Sequence, residues 1–197
     1  MLLRTATIAI ALVVLLTAAL AVSLLAPGPH YFPTGALGSD QETDAFRSRW
    51  YSQHLKALGE PVLYKAGPPG SFRFTWLRSF HHPIAIRVSP MGGGFYQLTA
   101  TELGGAGGYA PGPVVSRRQR MLSPQESAQA LEFFRDPDLW HSEVVRNGLD
   151  GAEWVVESTE GGYRVALQWS PTKGAIRAVG VELLRLADLR IPPSEMY

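Results

Sequence analysis

The chain has 197 residues, 46% of them hydrophobic, so it can form a packed core and is not an intrinsically disordered chain. Arg4 is the only charged residue among the first 26, which leaves 17 basic and 17 acidic residues in 27–197. A neutral domain argues against nucleic-acid binding. Because the chain has no cysteine, disulfides, thiol nucleophiles, thiolate zinc sites and a lipidated N-terminal cysteine are excluded.

Residues 5–26 form an apolar segment without a single charged side chain. As a helix this segment would extend about 33 Å, enough to cross a hydrocarbon core of about 30 Å. We therefore expect an uncleaved transmembrane anchor over residues 1–26. Two alternatives stay open: a secretory signal cleaved near Ala21, and a buried core helix that ends at Pro27.

The distribution of charge around this segment predicts its orientation. Arg4 precedes the segment, and the acidic residues Asp40, Glu42 and Asp44 follow it. The positive-inside rule then leaves the N-terminus in the cytoplasm and places the rest of the chain outside. Cleavage of the segment would instead release a secreted protein.

The next part of the chain predicts a linker and then a helix. Residues 27–39 are rich in proline and glycine and are interpreted as a linker, followed by one extracytoplasmic domain over 40–197. Ser39 and Glu42 resemble a capping box at the start of an amphipathic helix over 40–58. We expect its aromatic stripe to pack on the domain or, as the alternative, to lie on the membrane surface. The apolar residues at helical spacing are Phe46, Trp50, Tyr51, Leu55 and Leu58.

Alternating apolar and polar residues predict strands in two parts of the chain. One set occupies 71–103, with a turn at 91–94, and the other is a hairpin that turns near 159–162. Between them, Ser123-Pro124-Gln125-Glu126 predicts a capped helix. A last helix is predicted over 176–187, where a strand remains possible. Strands interrupted by isolated helices indicate an α+β fold, an antiparallel sheet with helices on one face.

His81 and His82 are the most conspicuous pair of titratable residues, in the stretch WLRSFHHPIAIR. Adjacent residues in a strand point to opposite faces, and Pro83 restricts His82 to extended geometry. We therefore expect packed, structural histidines that do not share a metal ion, and no metal-binding spacing such as HExxH occurs nearby. A ligand-binding or acid–base role for either ring is the alternative.

Three other residues are candidates for binding. Tyr109 lies among glycines that partly resemble a dinucleotide fingerprint, but prolines follow where a helix would have to begin, so a surface loop is favoured and no cofactor is expected. Asp150 is interpreted as a turn residue, with an acid–base role as the alternative. Trp140 is singled out for surface exposure.

Arg117, Arg118 and Arg120 are interpreted as a solvated strand edge rather than a phosphate or lipid-headgroup patch.

Four segments carry a resemblance to known sequences: WLRSFHHPIAIR, GGYAPG, GLDGAEWVVE and LQWSP. They are similar to segments of a group of uncharacterised bacterial proteins with an N-terminal apolar segment, which share WLR-FHHP, GGY-PG and GLDGA-W. The resemblance covers most of residues 45–189. It implies a bacterial envelope protein and transfers no activity and no catalytic residue. With the predicted anchor and its orientation, we expect the chain in the inner (cytoplasmic) membrane, with its domain in the periplasm or outside the cell.

These observations predict a binding or envelope-assembly role more than an enzyme, and no catalytic residue is assigned. The expected partners are the membrane, through residues 5–26, and an envelope protein or a second copy of the chain. The competing class is a small hydrolase-like envelope enzyme that uses His81 or His82 with Asp150. That class requires a histidine ring within a hydrogen bond, or one bridging water, of the Asp150 carboxylate. A subunit of an inner-membrane complex would instead expose apolar residues on the first helix or around Trp140.

Overall fold

A computed structural model of the protein describes residues 30–141, 148 and 150–197. The segment 5–26, on which the anchor is predicted, lies outside the described residues, as do residues 27–29 of the predicted linker. Among the described helices, none combines the length and the apolar character that crossing a membrane requires.

In the described part of the chain, six strands form one antiparallel sheet. The strands are β1 (Phe72–Arg78), β2 (Ile84–Gly92), β3 (Phe95–Leu103), β4 (Val114–Met121), β5 (Ala152–Ser158) and β6 (Arg164–Trp169). Their spatial order is β4-β3-β2-β1-β5-β6, so β1 and β2 lie at the centre. The β1–β5 pair joins strands that are distant in sequence, whereas the other neighbours follow one another along the chain. Together with the helices, this sheet confirms the predicted α+β fold.

Five helices accompany the sheet in the described residues. They are α1 (Gln41–Ala57), α2 (Leu63–Ala66), α3 (Pro124–Arg135), α4 (Pro137–Trp140) and α5 (Ala175–Leu186), with a 3₁₀ turn at Pro193–Glu195. α1 is capped by Asp40, whose carboxylate accepts the Thr43 N–H at 2.8 Å, and not by the expected capping box. The capping box predicted for Ser123 and Glu126 is confirmed at the start of α3. The alternative of a last strand is wrong, because α5 occupies that part of the chain.

One face of the sheet carries the larger apolar core, and α3, α4 and α5 cover it. Phe72, Phe74 and Trp76 of β1 project to this face, as the two-residue period of a strand requires. Trp154 of β5 packs on Phe74 and Trp76, with ring centroids 5.2 and 4.9 Å apart. α5 approaches so closely that a Cβ on Gly180 would collide with the rings of Trp154 and Phe74. Glycine at this position therefore sets the distance between helix and sheet.

α1 lies on the opposite face, so the prediction that helices cover only one face of the sheet is wrong. Leu77, Val155 and Leu167 project to this second face, where they form a separate apolar core with Tyr51 and Leu55 of α1. Polar residues alternate with the large core's side chains along the central strands. Many of these polar side chains are buried under α1 and the segments beside it.

Residues 30–39, which fall in the predicted linker, run along α1 as part of the domain. The N–H of Tyr31 donates to the Ser52 hydroxyl at 3.1 Å, and the N–H of Leu37 donates to the Asp44 carboxylate at 2.8 Å. The side chains buried in the second core from this segment are Tyr31, Phe32 and Leu37. The chain is therefore fixed to α1 from residue 31 onward.

A layer of buried charges lies on the same face as α1. Arg73 of β1 pairs with Glu157 of β5, and Glu60 connects Arg73 to Arg87 through contacts of 3.6 and 2.9 Å. The Tyr163 hydroxyl donates to Glu157 at 3.0 Å. Burial raises the pKa of the Glu157 carboxyl, while the Arg73 charge acts in the opposite direction. Mutual pairing is thus what allows these charged groups to be buried.

Candidate functional site

His81 and His82 lie in the turn between β1 and β2 rather than within a strand. Their side chains are 33% and 48% exposed, so the prediction of two packed strand histidines is wrong. The strand alternation ends at Arg78, whose guanidinium donates to the His82 carbonyl at 3.0 Å and shapes the turn.

The two histidine rings have different partners. Nδ1 of His81 is 2.7 Å from the Tyr197 hydroxyl, and its Nε2 is 3.8 Å from the Glu195 carboxylate. Nδ1 of His82 is 2.8 Å from the carboxylate of Glu102 on β3. The two rings therefore make separate contacts at the surface and share no partner among the contacts of the described residues.

The last residues of the chain close over this end of the large core. The main-chain oxygen of Tyr197 accepts the indole N–H groups of Trp76 and Trp154, at 3.2 and 2.9 Å. The Arg78 guanidinium lies 4.4 Å above the Trp76 ring and is 3.1 Å from the Glu195 carboxylate. These contacts, together with those of His81 to Tyr197 and Glu195, hold residues 195–197 against the core.

Asp150 is exposed and lies just before β5. In the described part of the chain, no hydrogen bond or ion pair joins its carboxylate to His81 or His82, whose acidic partners are Glu195 and Glu102. Residues 147 and 149 of the predicted turn lie outside the described residues. The histidine–aspartate contact that the hydrolase-like alternative requires is therefore not among the contacts of the described side chains.

A cleft of about 530 Å³ opens between α1 and the glycine-rich loop that connects β3 to β4. Tyr109, a binding candidate from the sequence, borders it with a ring that is 67% exposed. Arg49 and Gln53 of α1 add hydrogen-bonding groups at the rim. We call this site the aromatic cleft; its rings belong to Phe46, Trp50, Tyr109 and Trp169.

A buried ion pair borders the aromatic cleft. Nε of Arg47 is 3.5 Å from Oε1 of Glu153, and these side chains are 3% and 2% exposed. The Arg47 guanidinium also donates to the Leu37 carbonyl at 2.8 Å. Burial raises the pKa of the Glu153 carboxyl, and the Arg47 charge lowers it. The cleft thus combines apolar rings with a few fixed polar groups, which is the usual composition of a ligand site.

The glycine-rich loop is held against the end of β1. The indole N–H of Trp50 donates to the Gly107 carbonyl at 2.8 Å, and the Gly107 N–H donates to the Arg78 carbonyl at 2.7 Å. A Cβ on Gly107 would lie within 2.8 Å of the Arg78 main chain, so no side chain fits there. The glycines therefore permit close backbone packing that places Tyr109 at the mouth of the cleft.

Sequence reasoning missed the buried pair of this site. Arg47 stands four residues before Tyr51 and eight before Leu55, so it occupies the buried stripe of α1. Glu153 stands beside Trp154 in a strand whose residues are all buried. A charged residue on the apolar stripe of a helix was the signal that could have found Arg47, because such a residue must find a partner. Trp169, at the end of β6, is half-buried and lines the cleft.

Trp140, which was singled out for surface exposure, is half-buried on the other face of the sheet. Its indole N–H donates to the Phe134 carbonyl at 2.9 Å, and the Arg164 guanidinium lies 4.4 Å above its ring. These contacts assign Trp140 a packing role, away from the aromatic cleft.

The basic residues of β4 are exposed on an edge strand, as the sequence indicated, and their guanidinium groups also bind to the domain. Each of the three guanidinium groups donates to a main-chain carbonyl at or just beyond the C-terminal end of a helix. Cationic side chains are favourable at that end of a helix. The donors are Arg117, Arg118 and Arg120, and the acceptors are Leu58, Asp188 and Leu186 respectively.

Among the described residues, the contacts of His81 and His82 with carboxylates do not form part of a metal-binding group. Within the ranges that the structure describes, no group of three or more His, Cys, Asp or Glu side chains is placed to hold a metal ion. No protein-family model, curated protein or solved structure matches this chain.

Proposed function

We propose that this chain is a membrane-tethered binding domain and that the aromatic cleft receives its ligand. Residues 5–26 supply the tether, with the N-terminus in the cytoplasm and the domain on the outer side of a bacterial inner membrane. The observation that carries the proposal is the coincidence, at one cleft of about 530 Å³, of exposed aromatic rings with the buried Arg47–Glu153 pair.

The lining of the cleft indicates the chemistry of the ligand. Phe46 and Tyr109 are more than half exposed, and aromatic rings of this kind pack on flat apolar surfaces. Arg49 and Gln53 present hydrogen-bond donors at the rim. The proposed ligand therefore carries a flat apolar surface next to a hydrogen-bond acceptor or a negative group.

Site-specific photocrosslinking of the full chain in intact cell envelopes tests the cleft. A benzophenone amino acid replaces Tyr109 or, as a matched control, Phe95, an exposed ring at the opposite end of β3. We expect an adduct from position 109 that Phe46→Ala reduces several-fold, and no such adduct from position 95. Recovery of the protein alone, or an adduct at 109 that Phe46→Ala leaves unchanged, would contradict the proposal.

Extraction of the membranes tests the tether separately. A chain that spans the bilayer stays in the membrane pellet at alkaline pH, because its apolar segment remains in the hydrocarbon core. Release of the full-length chain into the supernatant, or recovery of a shorter secreted chain that begins near Ala21, would show that residues 5–26 do not anchor it.

A further inference from the structure

A second and larger cleft lies on the outer side of α1, next to His30. Its volume is about 690 Å³, and we call it the headgroup cleft. Small side chains of α1 leave the space for it, namely Ala45, Ser48 and Ser52. Arg49 and Lys56 border the headgroup cleft, and Arg49 borders the aromatic cleft as well.

The chain leaves little distance between this cleft and the proposed tether. Four Cα–Cα steps separate Ala26 from His30, and they span at most about 15 Å. The headgroup layer on each side of a bilayer is about 5–8 Å thick. Tyr31 provides no further slack, because its N–H is bound to Ser52 at 3.1 Å and its hydroxyl to the Glu60 carbonyl at 2.9 Å. With residues 5–26 in the bilayer, His30 lies within about 15 Å of the hydrocarbon core, so the headgroup cleft is within reach of the headgroups.

The charges around the headgroup cleft suit an anionic lipid surface. Arg49 and Lys56 are exposed and lie seven residues apart, on one side of α1. Lys65 of α2 is exposed nearby, with its ammonium 5.3 Å from the ring of Tyr64, which lines the cleft. Each basic residue close to an anionic leaflet strengthens binding about fivefold.

The acidic residues of α1 near the headgroup cleft offset part of this basic character. Asp44 lines the cleft, but its two carboxylate oxygens accept the N–H groups of Gly35 and Leu37 at 2.9 and 2.8 Å. Glu42 is exposed in the first turn of α1, two turns before Arg49. The charged side chains that line the cleft are thus two basic and one acidic, and Glu42 lies beyond them on the same side of α1 as Arg49.

We propose that the headgroup cleft seats the phosphate-bearing headgroup of an anionic phospholipid, with Arg49 and Lys56 as its ligands. The proposal rests on the tether of the proposed function. In this position the outer side of α1 faces the bilayer. α3, α4 and α5 lie on the other face of the sheet and point away from the membrane.

Because the chain has no cysteine, single labels can be introduced cleanly. Ala45→Cys places a fluorophore at the headgroup cleft, and Ala178→Cys places the same fluorophore on the exposed side of α5 as a matched control. The full chain is reconstituted into vesicles of phosphatidylcholine and phosphatidylglycerol. A minor fraction of either lipid carries a nitroxide quencher near the top of its acyl chain. We expect quenching at position 45 to exceed that at 178 several-fold, and to be stronger with labelled phosphatidylglycerol.

A charge variant tests the headgroup seat itself. Arg49→Gln with Lys56→Gln should lower the preference for labelled phosphatidylglycerol about fivefold for each basic residue removed. Lys173→Gln with Arg190→Gln, two exposed basic residues outside the clefts of α1, is the matched control and should leave the preference unchanged.

Each contrary result has a distinct meaning. Equal quenching at 45 and 178, with the chain still integrated in the vesicles, overturns the docking of α1 on the bilayer and leaves the tether standing. Loss of the chain from the vesicles overturns the tether and this proposal together. Equal quenching by the two labelled lipids overturns the headgroup seat. Protection of position 45 from the lipid quencher and from a water-soluble quencher alike overturns it too, since residues 1–29 would then cover the cleft.

Discussion

Arg73 and Glu157 stand opposite each other on β1 and β5 and share two hydrogen bonds, Nε to Oε2 at 2.7 Å and Nη2 to Oε1 at 2.8 Å. Both side chains are fully buried. The remaining guanidinium nitrogen of Arg73 donates to the Pro61 carbonyl at 2.7 Å. This pair therefore links the two strands whose contact joins distant parts of the sequence, and its bidentate geometry fits one register of β1 against β5.

Removal of one partner of this pair should destabilise the fold strongly. We expect Glu157→Ala to lower the free energy of unfolding by about 3–5 kcal/mol, because it removes both close hydrogen bonds and leaves the buried Arg73 charge with only the longer 3.6 Å contact to Glu60. The double variant Arg73→Met with Glu157→Leu should recover most of that loss. Urea unfolding of the full chain in mild detergent measures both.

The exposed ion pair Arg135–Glu160 serves as the control. Its atoms are 3.1 Å apart and its side chains are 62% and 35% exposed, so Arg135→Ala should change stability by less than about 1 kcal/mol. A Glu157→Ala variant no less stable than Arg135→Ala would show that the buried pair does not hold β1 and β5 together.

Local patterns in the sequence predicted most of the elements, but not the two-sided covering of the sheet. The alternation of Phe72, Phe74 and Trp76 with polar residues predicted β1, and this alternation is a local property of a strand. Whether Arg73 faces water or a second layer depends on Glu157, which lies far away in the sequence and whose position only the tertiary fold determines. The same strand pattern fits both arrangements.

For the candidate site too, the sequence indicated single residues but not the contacts between distant ones. Tyr109 was recognised because a ring among glycines stands out in a loop, and the structure places it at the aromatic cleft. Glu153 and Arg47 lie on different elements, and their 3.5 Å contact arises only when α1 packs on β5. His81 drew attention as one of an adjacent pair, yet its partners come from residues at the end of the chain.

Gly180 should not tolerate even a methyl group. We expect Gly180→Ala to destabilise the fold by about 1–3 kcal/mol, because the new Cβ would collide with the rings of Trp154 and Phe74 and push α5 off the sheet. This loss would exceed the gain of about 1 kcal/mol that alanine brings to a helix. Thermal unfolding of the full chain measures the difference.

Val181, which follows Gly180 on the exposed side of α5, provides the control for Gly180→Ala. Val181 is 41% exposed, so Val181→Ala should change stability by no more than about 0.5 kcal/mol. A stabilising effect of Gly180→Ala would mean that helix and sheet are not in close contact at this point.

Stability should fall with pH below about 6.5 because of His54, which is buried in α1. Nδ1 of His54 donates to the Trp50 carbonyl at 3.0 Å, while its buried Nε2 has no hydrogen-bond partner among the described residues. Burial lowers the pKa of His54 from its ordinary value of 6.5. The unfolded chain therefore binds the proton first, and each pH unit below that value lowers the free energy of unfolding by up to about 1.4 kcal/mol.

Removal of the imidazole tests this pH dependence. Urea unfolding between pH 7.5 and pH 5 (about the range that His titration covers) should show a shallower loss of stability for His54→Gln than for the unchanged chain. His141→Gln, at an exposed ring on the end of α4, should leave the slope unchanged. An unchanged slope in His54→Gln would assign the pH dependence to other groups.

The hydrogen bond from Trp50 to the Gly107 carbonyl should control the opening of the aromatic cleft. Trp50→Phe removes this bond of 2.8 Å and should weaken the attachment of the glycine-rich loop by about 1 kcal/mol, which corresponds to about fivefold faster amide exchange over residues 104–112. Trp140→Phe removes a matched indole bond, 2.9 Å to the Phe134 carbonyl, on the other face of the sheet and should leave that exchange unchanged. Hydrogen–deuterium exchange with mass spectrometry compares the two variants. Equal protection of the loop in both would mean that Gly107 is held by its N–H bonds to the Arg78 and His81 carbonyls, and that α1 does not determine the width of the cleft.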